Sequence, residues 1–129
     1  MLHDPLANAL SQILNNQRGG KRECVVRPIS TIITQVIEIL HAKGYLGSWK
    51  TVPSLKGSTM ALNLLGTINN CGAIKPRYSV KRDGFEKFEK RYLPAKDFGV
   101  LIVSTPKGLM THQEAKEKGL GGSLIAYCY

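Results

Sequence analysis

The sequence predicts an α/β fold built as two small α+β units with mixed sheets, the C-terminal unit carrying a Ser-Thr loop. Apolar residues recur at helical spacing in some segments and alternate in others, and the two kinds of segment follow one another along the chain. At residues 67–72, TINNCG, two asparagines and a glycine interrupt both periods, which sets a boundary and gives units at 1–68 and 69–129. A length of 129 residues, 43% of them hydrophobic, suits one compact domain or two very small ones.

Residues 4–16 open with Asp4, an N-cap, and Pro5 at the first helical position, then place Leu6, Leu10, Ile13 and Leu14 on one helical face. The following Gln17-Arg18-Gly19-Gly20-Lys21-Arg22 breaks that period and puts Arg18, Lys21 and Arg22 in a loop. Such a loop can contact phosphate, and it equally suits a solvated connector. Cys24, Val25 and Val26 read as a short strand ending at Pro28. Ser30 or Thr31 then caps a second helix with Ile32, Ile33, Val36, Ile37 and Leu40 on one face. Lys43-Gly44 supplies its cationic last turn and its stop, and His41 on that turn favours the helix dipole when protonated. Residues 45–52 and 59–65 read as two strands joined by 53–57, with Met60, Leu62 and Leu64 alternating as a half-buried strand requires. Trp49 reads as a packing residue.

Beyond the boundary, Lys75-Pro76-Arg77-Tyr78-Ser79-Val80-Lys81-Arg82 alternates cations with Tyr78 and Val80. A strand here turns the apolar residues inward and leaves Lys75, Arg77 and Lys81 for a polyanion, or for a solvated edge protected by charge. Residues 85–91 mix Glu and Lys around Phe85, Phe88 and Tyr92, a short surface helix. Residues 99–103, GVLIV, suit a strand buried on both faces that ends in Ser104-Thr105-Pro106-Lys107-Gly108. Thr111-His112-Gln113-Glu114 is a capping box opening a helix through Lys118, and Gly119-Leu120-Gly121-Gly122 returns the chain into a last strand, 123–129.

Eighteen Lys and Arg against nine Asp and Glu leave a net charge of +9. That excess favours a polyanionic partner, nucleic acid or an anionic membrane surface, because neutralising phosphates releases condensed counterions. No run of five or six consecutive Lys or Arg is present, so a folded surface carries the charge. No apolar run approaches the roughly 18 residues of a membrane-spanning helix, and MLHDPLANALSQIL has no secretory pattern, so the expected location is cytoplasmic. Cys24, Cys71 and Cys128 are odd in number and widely spaced, which argues against a disulfide framework and makes them small buried hydrophobes. His3, His41 and His112 are equally dispersed, so no metal is expected.

The turn at 104–108 presents small donors and acceptors to which a nucleic-acid backbone or base edge can come close, although the same residues are ordinary turn formers. An enzymatic alternative takes Ser104 as nucleophile, His112 as base and Asp97 as orienter, but no Gly-x-Ser-x-Gly elbow accompanies them.

The segment LPAKDFGVLIVSTPKGLMTHQEAKEKGLGGSLIAYCY combines a strand running into Ser-Thr-x-Lys-Gly, a helix with Glu114-Ala115, the Gly121-Gly122 turn and an aromatic C-terminus. Together with CGAIKPRYSVK, RPISTIITQVIEILHAKGYLG and DPLANAL upstream, it resembles the eighth small-subunit ribosomal protein family in its archaeal and eukaryotic form, across essentially the whole chain. The resemblance implies two small α/β units and direct binding to a central-domain helix of small-subunit rRNA early in assembly, in the platform beside neighbouring ribosomal proteins. It implies no enzymatic activity, cofactor, membrane or small-molecule substrate. The family's Ser-Thr-Ser loop falls on Ser104 and Thr105, with Pro106 in place of the third serine, which removes a hydroxyl and a backbone donor. On this reading Ser104, Thr105, Lys107 and Gly108 contact RNA beside Gly121 and Gly122, while Arg18, Lys21, Arg22, Lys75, Arg77 and Lys81 attract and orient it. The glycine pair is equally well explained by backbone geometry alone. Binding to messenger RNA stays open beside rRNA binding.

Overall fold

The computed structural model describes residues 5–26, 31–52, 59–75, 77–95 and 98–129. His3, Asp4, Pro28, Ser30, the connection 53–57, Pro76 and Asp97, to which the sequence attached expectations, lie outside them. The chain divides into two compact units, Met1–Ile68 and Asn69–Tyr129.

In the first unit α1 (Pro5–Arg18), β1 (Glu23–Val26), α2 (Thr31–Ala42), β2 (Leu46–Val52) and β3 (Thr59–Leu64) follow in order. The three strands form a sheet of order β1-β3-β2, and Val26 pairs with Met60 and Cys24 with Leu62. Leu6, Leu10, Ile13 and Leu14 of α1 are buried, as are Ile33, Val36, Ile37 and Leu40 of α2. Because α2 is rich in β-branched residues of modest helix propensity, burial of that apolar stripe is what holds it helical. The basic loop begins two residues later than the sequence suggests, since Gln17 and Arg18 form the last turn of α1. The cause is a distant partner: the Gln17 amide donates to the Ile68 carbonyl and accepts from the Ile68 N–H at 3.3 Å.

The second unit contains β4 (Cys71–Ala73), β5 (Ser79–Val80), α3 (Phe85–Tyr92), β6 (Val100–Thr105), β7 (Gly108–Thr111), α4 (His112–Lys118) and β8 (Gly122–Cys128). Its five-stranded sheet runs β4-β8-β6-β7, with β5 also on β8. Thr111 caps α4 as its spacing requires, its hydroxyl accepting the Glu114 N–H at 3.3 Å, and Gly119 ends the helix in a left-handed conformation. In β6, Leu101 and Val103 enter a core shared with Phe85, Phe88 and Leu124. Val100 and Ile102 alternate to the opposite face and are buried too, so the aliphatic run is enclosed on both sides.

Among the described residues every paired strand is antiparallel, which corrects the expectation of mixed sheets. The helical crossovers do connect parallel strands, β1 to β2 through α2 and β7 to β8 through α4. In each case an antiparallel strand, β3 or β6, lies between the two, so no parallel neighbours meet. The strand expected over 75–82 also shortens. Ala73 pairs with Ala126 and Ser79 with Ser123, so six steps along one strand face three along the other, and Lys75 and Arg77 sit in an exposed excursion between β4 and β5.

Candidate nucleic-acid interface

β6 leaves the core at Ser104, which is exposed and pairs with Ser123 of β8 on one side and Leu109 of β7 on the other. Ser123 in turn pairs with Ser79 of β5. Directly opposed residues of antiparallel strands point to the same face, so Ser79, Ser123 and Ser104 form a row of hydroxyls across three strands, spanning about 10 Å. The row lies on the face opposite Val103 and Leu124, whose side chains point into the core. Ser79 and Ser104 are exposed and Ser123 is half-buried. Each hydroxyl offers one donor and two acceptor positions, with no bulk to hold a partner away.

Past Ser104 the chain turns through Pro106 and Lys107, and the Thr105 to Gly108 pair closes the hairpin. Thr105 is 8% exposed, and its hydroxyl is used inside the turn, donating to the Gly108 carbonyl at 2.7 Å and accepting the Lys107 N–H at 3.2 Å. Proline fixes φ near −65° at position 106, which excludes the mirror-image turns that two-residue hairpins favour. The positive φ falls instead on Gly108, at 112°. Pro106 and Lys107 are exposed at the tip.

Gly121 and Gly122 set how closely these segments meet. A Cβ on Gly122 would overlap the Ser104 carbonyl oxygen and lie 2.8 Å from its carbon; one on Gly121 would overlap the Val80 carbonyl oxygen and lie 3.0 Å from the Lys81 Cα. The backbone-geometry account of the pair is therefore satisfied at both positions. The seam brings together the end of β6, the start of β8 and residues 80–82, and so sets Lys81 and Arg82, both exposed, beside the serine row. Further along, the Arg91 guanidinium lies 5.2 Å from the Tyr78 ring centre and 5.5 Å from that of Tyr92.

Of the residues expected to act together, the structure gathers Ser104, Thr105, Lys107, Gly108, Gly121, Gly122 and Lys81 at this seam, with Lys75 and Arg77 on the neighbouring excursion. Arg18, Lys21 and Arg22, all exposed, belong to the N-terminal unit, the first at the end of α1 and the others before β1. Ser79, Ser123 and Arg82 are functional candidates that sequence reasoning missed. Arg82 had a visible signal, as the last cation of the basic stretch, whereas the serines had none short of strand register.

The enzymatic alternative is not assembled. His112 is 2% exposed, its Nδ1 accepts the Leu101 N–H at 3.0 Å, and its Nε2 faces the Glu89 carboxylate at 3.4 Å. Lys116 also donates to that carboxylate. Leu101 precedes Ser104 by three residues of extended chain, about 10 Å, which leaves the imidazole out of reach of the hydroxyl. Among the described residues no cluster of His, Cys, Asp and Glu could hold a metal ion, and no helix is long and apolar enough to cross a membrane.

The family model described as Ribosomal protein S8 matches residues 4–129.

Proposed function

The chain belongs to the ribosomal protein S8 family, and from that premise we propose that its C-terminal unit recognises an irregular helix in the central domain of small-subunit rRNA and supports assembly of the subunit. Members of that family are small-subunit ribosomal proteins that bind rRNA and serve translation. The observation that carries the finer reading is the glycine seam, where three chain segments meet closely enough to present a serine row, a rigid turn and cations on one rim.

The chemistry suits RNA. A-form helices hide their major groove and display 2′-hydroxyls and base edges in a wide, shallow minor groove, so recognition proceeds by shape and by hydroxyl and phosphate contacts. Ser104, Ser123 and Ser79 can exchange hydrogen bonds with 2′-hydroxyls and base edges, while Lys107, Lys81 and Arg82 meet phosphates. Thr105 acts by holding the turn, since its hydroxyl is already paired. Gly108, Gly121 and Gly122 let backbone come close to the partner. Pro106 takes away one donor and returns a turn that needs little ordering on binding. Lys75 and Arg77, with Arg18, Lys21 and Arg22 on the other unit, supply the long-range attraction. In this reading the protein acts without catalysis or cofactor, in the cytoplasm, beside other proteins of the subunit.

Titrating a central-domain rRNA fragment into isotopically labelled protein tests this by amide chemical shifts. The largest shifts are expected at Ser79, Ser104, Lys107 and Gly121 to Ser123. Shifts concentrated away from the seam would overturn the assignment of the site.

A further inference from the structure

Strands β4 and β8 place Cys71 directly opposite Cys128 in antiparallel register. The next pair outward, Asn70 and Tyr129, exchanges both backbone bonds: the Tyr129 N–H donates to the Asn70 carbonyl at 2.9 Å, and the Asn70 N–H to the Tyr129 carbonyl at 3.0 Å. Four residues inward from Asn70, the Ile74 N–H donates to the Ile125 carbonyl at 2.9 Å, in the same phase of the ladder. Hydrogen-bonded and non-hydrogen-bonded pairs alternate, so Cys71 and Cys128 occupy a non-hydrogen-bonded pair, where Cα atoms stand about 4.5 Å apart and side chains lean together. That separation falls within the roughly 4.4–6.8 Å that a disulfide spans. Neither sulfur is part of a disulfide, and both residues are buried, at 5% and 1% exposure. Cys24, the third cysteine, lies in the N-terminal unit on β1, where it accepts the Asn16 amide N–H at 3.0 Å.

We propose that Cys71 and Cys128 form a redox modification site, a cross-strand dithiol that a low-molecular-weight disulfide such as oxidised glutathione closes into a disulfide bond. The bond ties the first strand of the C-terminal unit to its last. Cys71 is the entry point, since it is the more exposed of the two and sits on a three-residue strand at the edge of the sheet, where peeling away from β8 breaks few bonds. Its thiolate attacks one sulfur of oxidised glutathione, forming a mixed disulfide and releasing one glutathione thiolate, which takes up the proton Cys71 has given up. The Cys128 sulfur, giving up its own proton, then attacks the Cys71 sulfur of that mixed disulfide and releases the second glutathione. Two protein thiols lose two electrons and two protons, and one oxidised glutathione becomes two reduced molecules. Cys128 waits inside the fold as the resolving thiol. Its burial, with Cys71 adjacent, pushes its ionisation well above the ordinary thiol value and so keeps it from reacting with reagents on its own.

Ser123 lies five residues from Cys128 along β8, about 16 Å, so closing the bond leaves the serine row in place. The experiment equilibrates the folded, full-length protein in glutathione buffers from reducing to oxidising, quenches with acid, alkylates the remaining thiols and maps peptides by mass spectrometry. The expected result is a single linkage joining the peptides of Cys71 and Cys128, with Cys24 still alkylated, a raised thermal midpoint in the oxidised form, and the same linkage in Cys24→Ala. Guanidine-unfolded protein in the same buffers confirms that the oxidant is active. Three alkylated thiols in the native oxidised sample, a glutathione adduct persisting on Cys71, or a linkage through Cys24 would each overturn the proposal.

Discussion

A Cβ at position 122 meets the carbonyl of Ser104, and because that neighbour is backbone it has no rotamer by which to move aside. Gly122→Ala should therefore force the end of β6 away from the start of β8, at about 1–3 kcal/mol in denaturant unfolding. Cognate RNA affinity should fall at least tenfold under conditions where the variant is still folded. Ser104 and Thr105, adjacent in sequence, differ in surroundings: the first is exposed, and the second is buried with its hydroxyl bonded inside the turn. Ser104→Ala removes an exposed hydroxyl and should leave stability unchanged while weakening cognate RNA by about 1–3 kcal/mol. Thr105→Val keeps the volume but deletes the bonds to Lys107 and Gly108, so it should cost about 1 kcal/mol of stability, with Thr105→Ser restoring most of it. Paired unfolding and binding measurements on these variants check the division; equal losses of stability in both would contradict it. The residues of the turn were visible in the sequence. Their different surroundings were not, because Thr105 faces the core and Ser104 does not, which follows from β6 keeping its pleat through Thr105, two residues past the 99–103 run at which the sequence ends the strand.

At the scale of elements, α3 and α4 are linked through one buried carboxylate, Glu89, which receives Lys116 and faces the Nε2 of His112. Glu89→Ala removes that acceptor from a buried imidazole and should cost about 1–3 kcal/mol, while Glu89→Gln keeps an acceptor oxygen and should recover much of the loss. Denaturant unfolding of the two variants checks this, and identical losses would show that Glu89 acts by packing alone. Local signals made several elements legible: the capping box of α4, the stripe of α2, the alternation of β3 and the aliphatic run of β6. What stayed hidden was set by distant partners. Gln17 stays helical because it is bonded to Ile68, 51 residues away. β7 and β4 are four and three residues long and exist by pairing with β6 and β8. The serine row joins residues 79, 104 and 123 by register, which no spacing in the sequence announces. The opposition of Cys71 and Cys128 was hidden in the same way.

For the whole molecule, the proposed division gives a net charge of +9 the task of attraction without discrimination and the seam of the C-terminal unit that of discrimination. Changing Arg18, Lys21 and Arg22 together to Gln should weaken cognate and scrambled RNA by similar factors, and should lower the salt slope by up to about one unit for each phosphate no longer neutralised. A loss confined to the cognate RNA would make those residues part of specific recognition. Whether a dedicated RNA site stands on this basic surface is decided by titrating a central-domain rRNA fragment and a scrambled duplex of equal length across a range of salt. Tight binding to the fragment is expected to persist at salt concentrations that abolish binding to the duplex. Equal, equally salt-sensitive binding to both would contradict that expectation, and would leave the serine row and its glycine seam as features of folding alone.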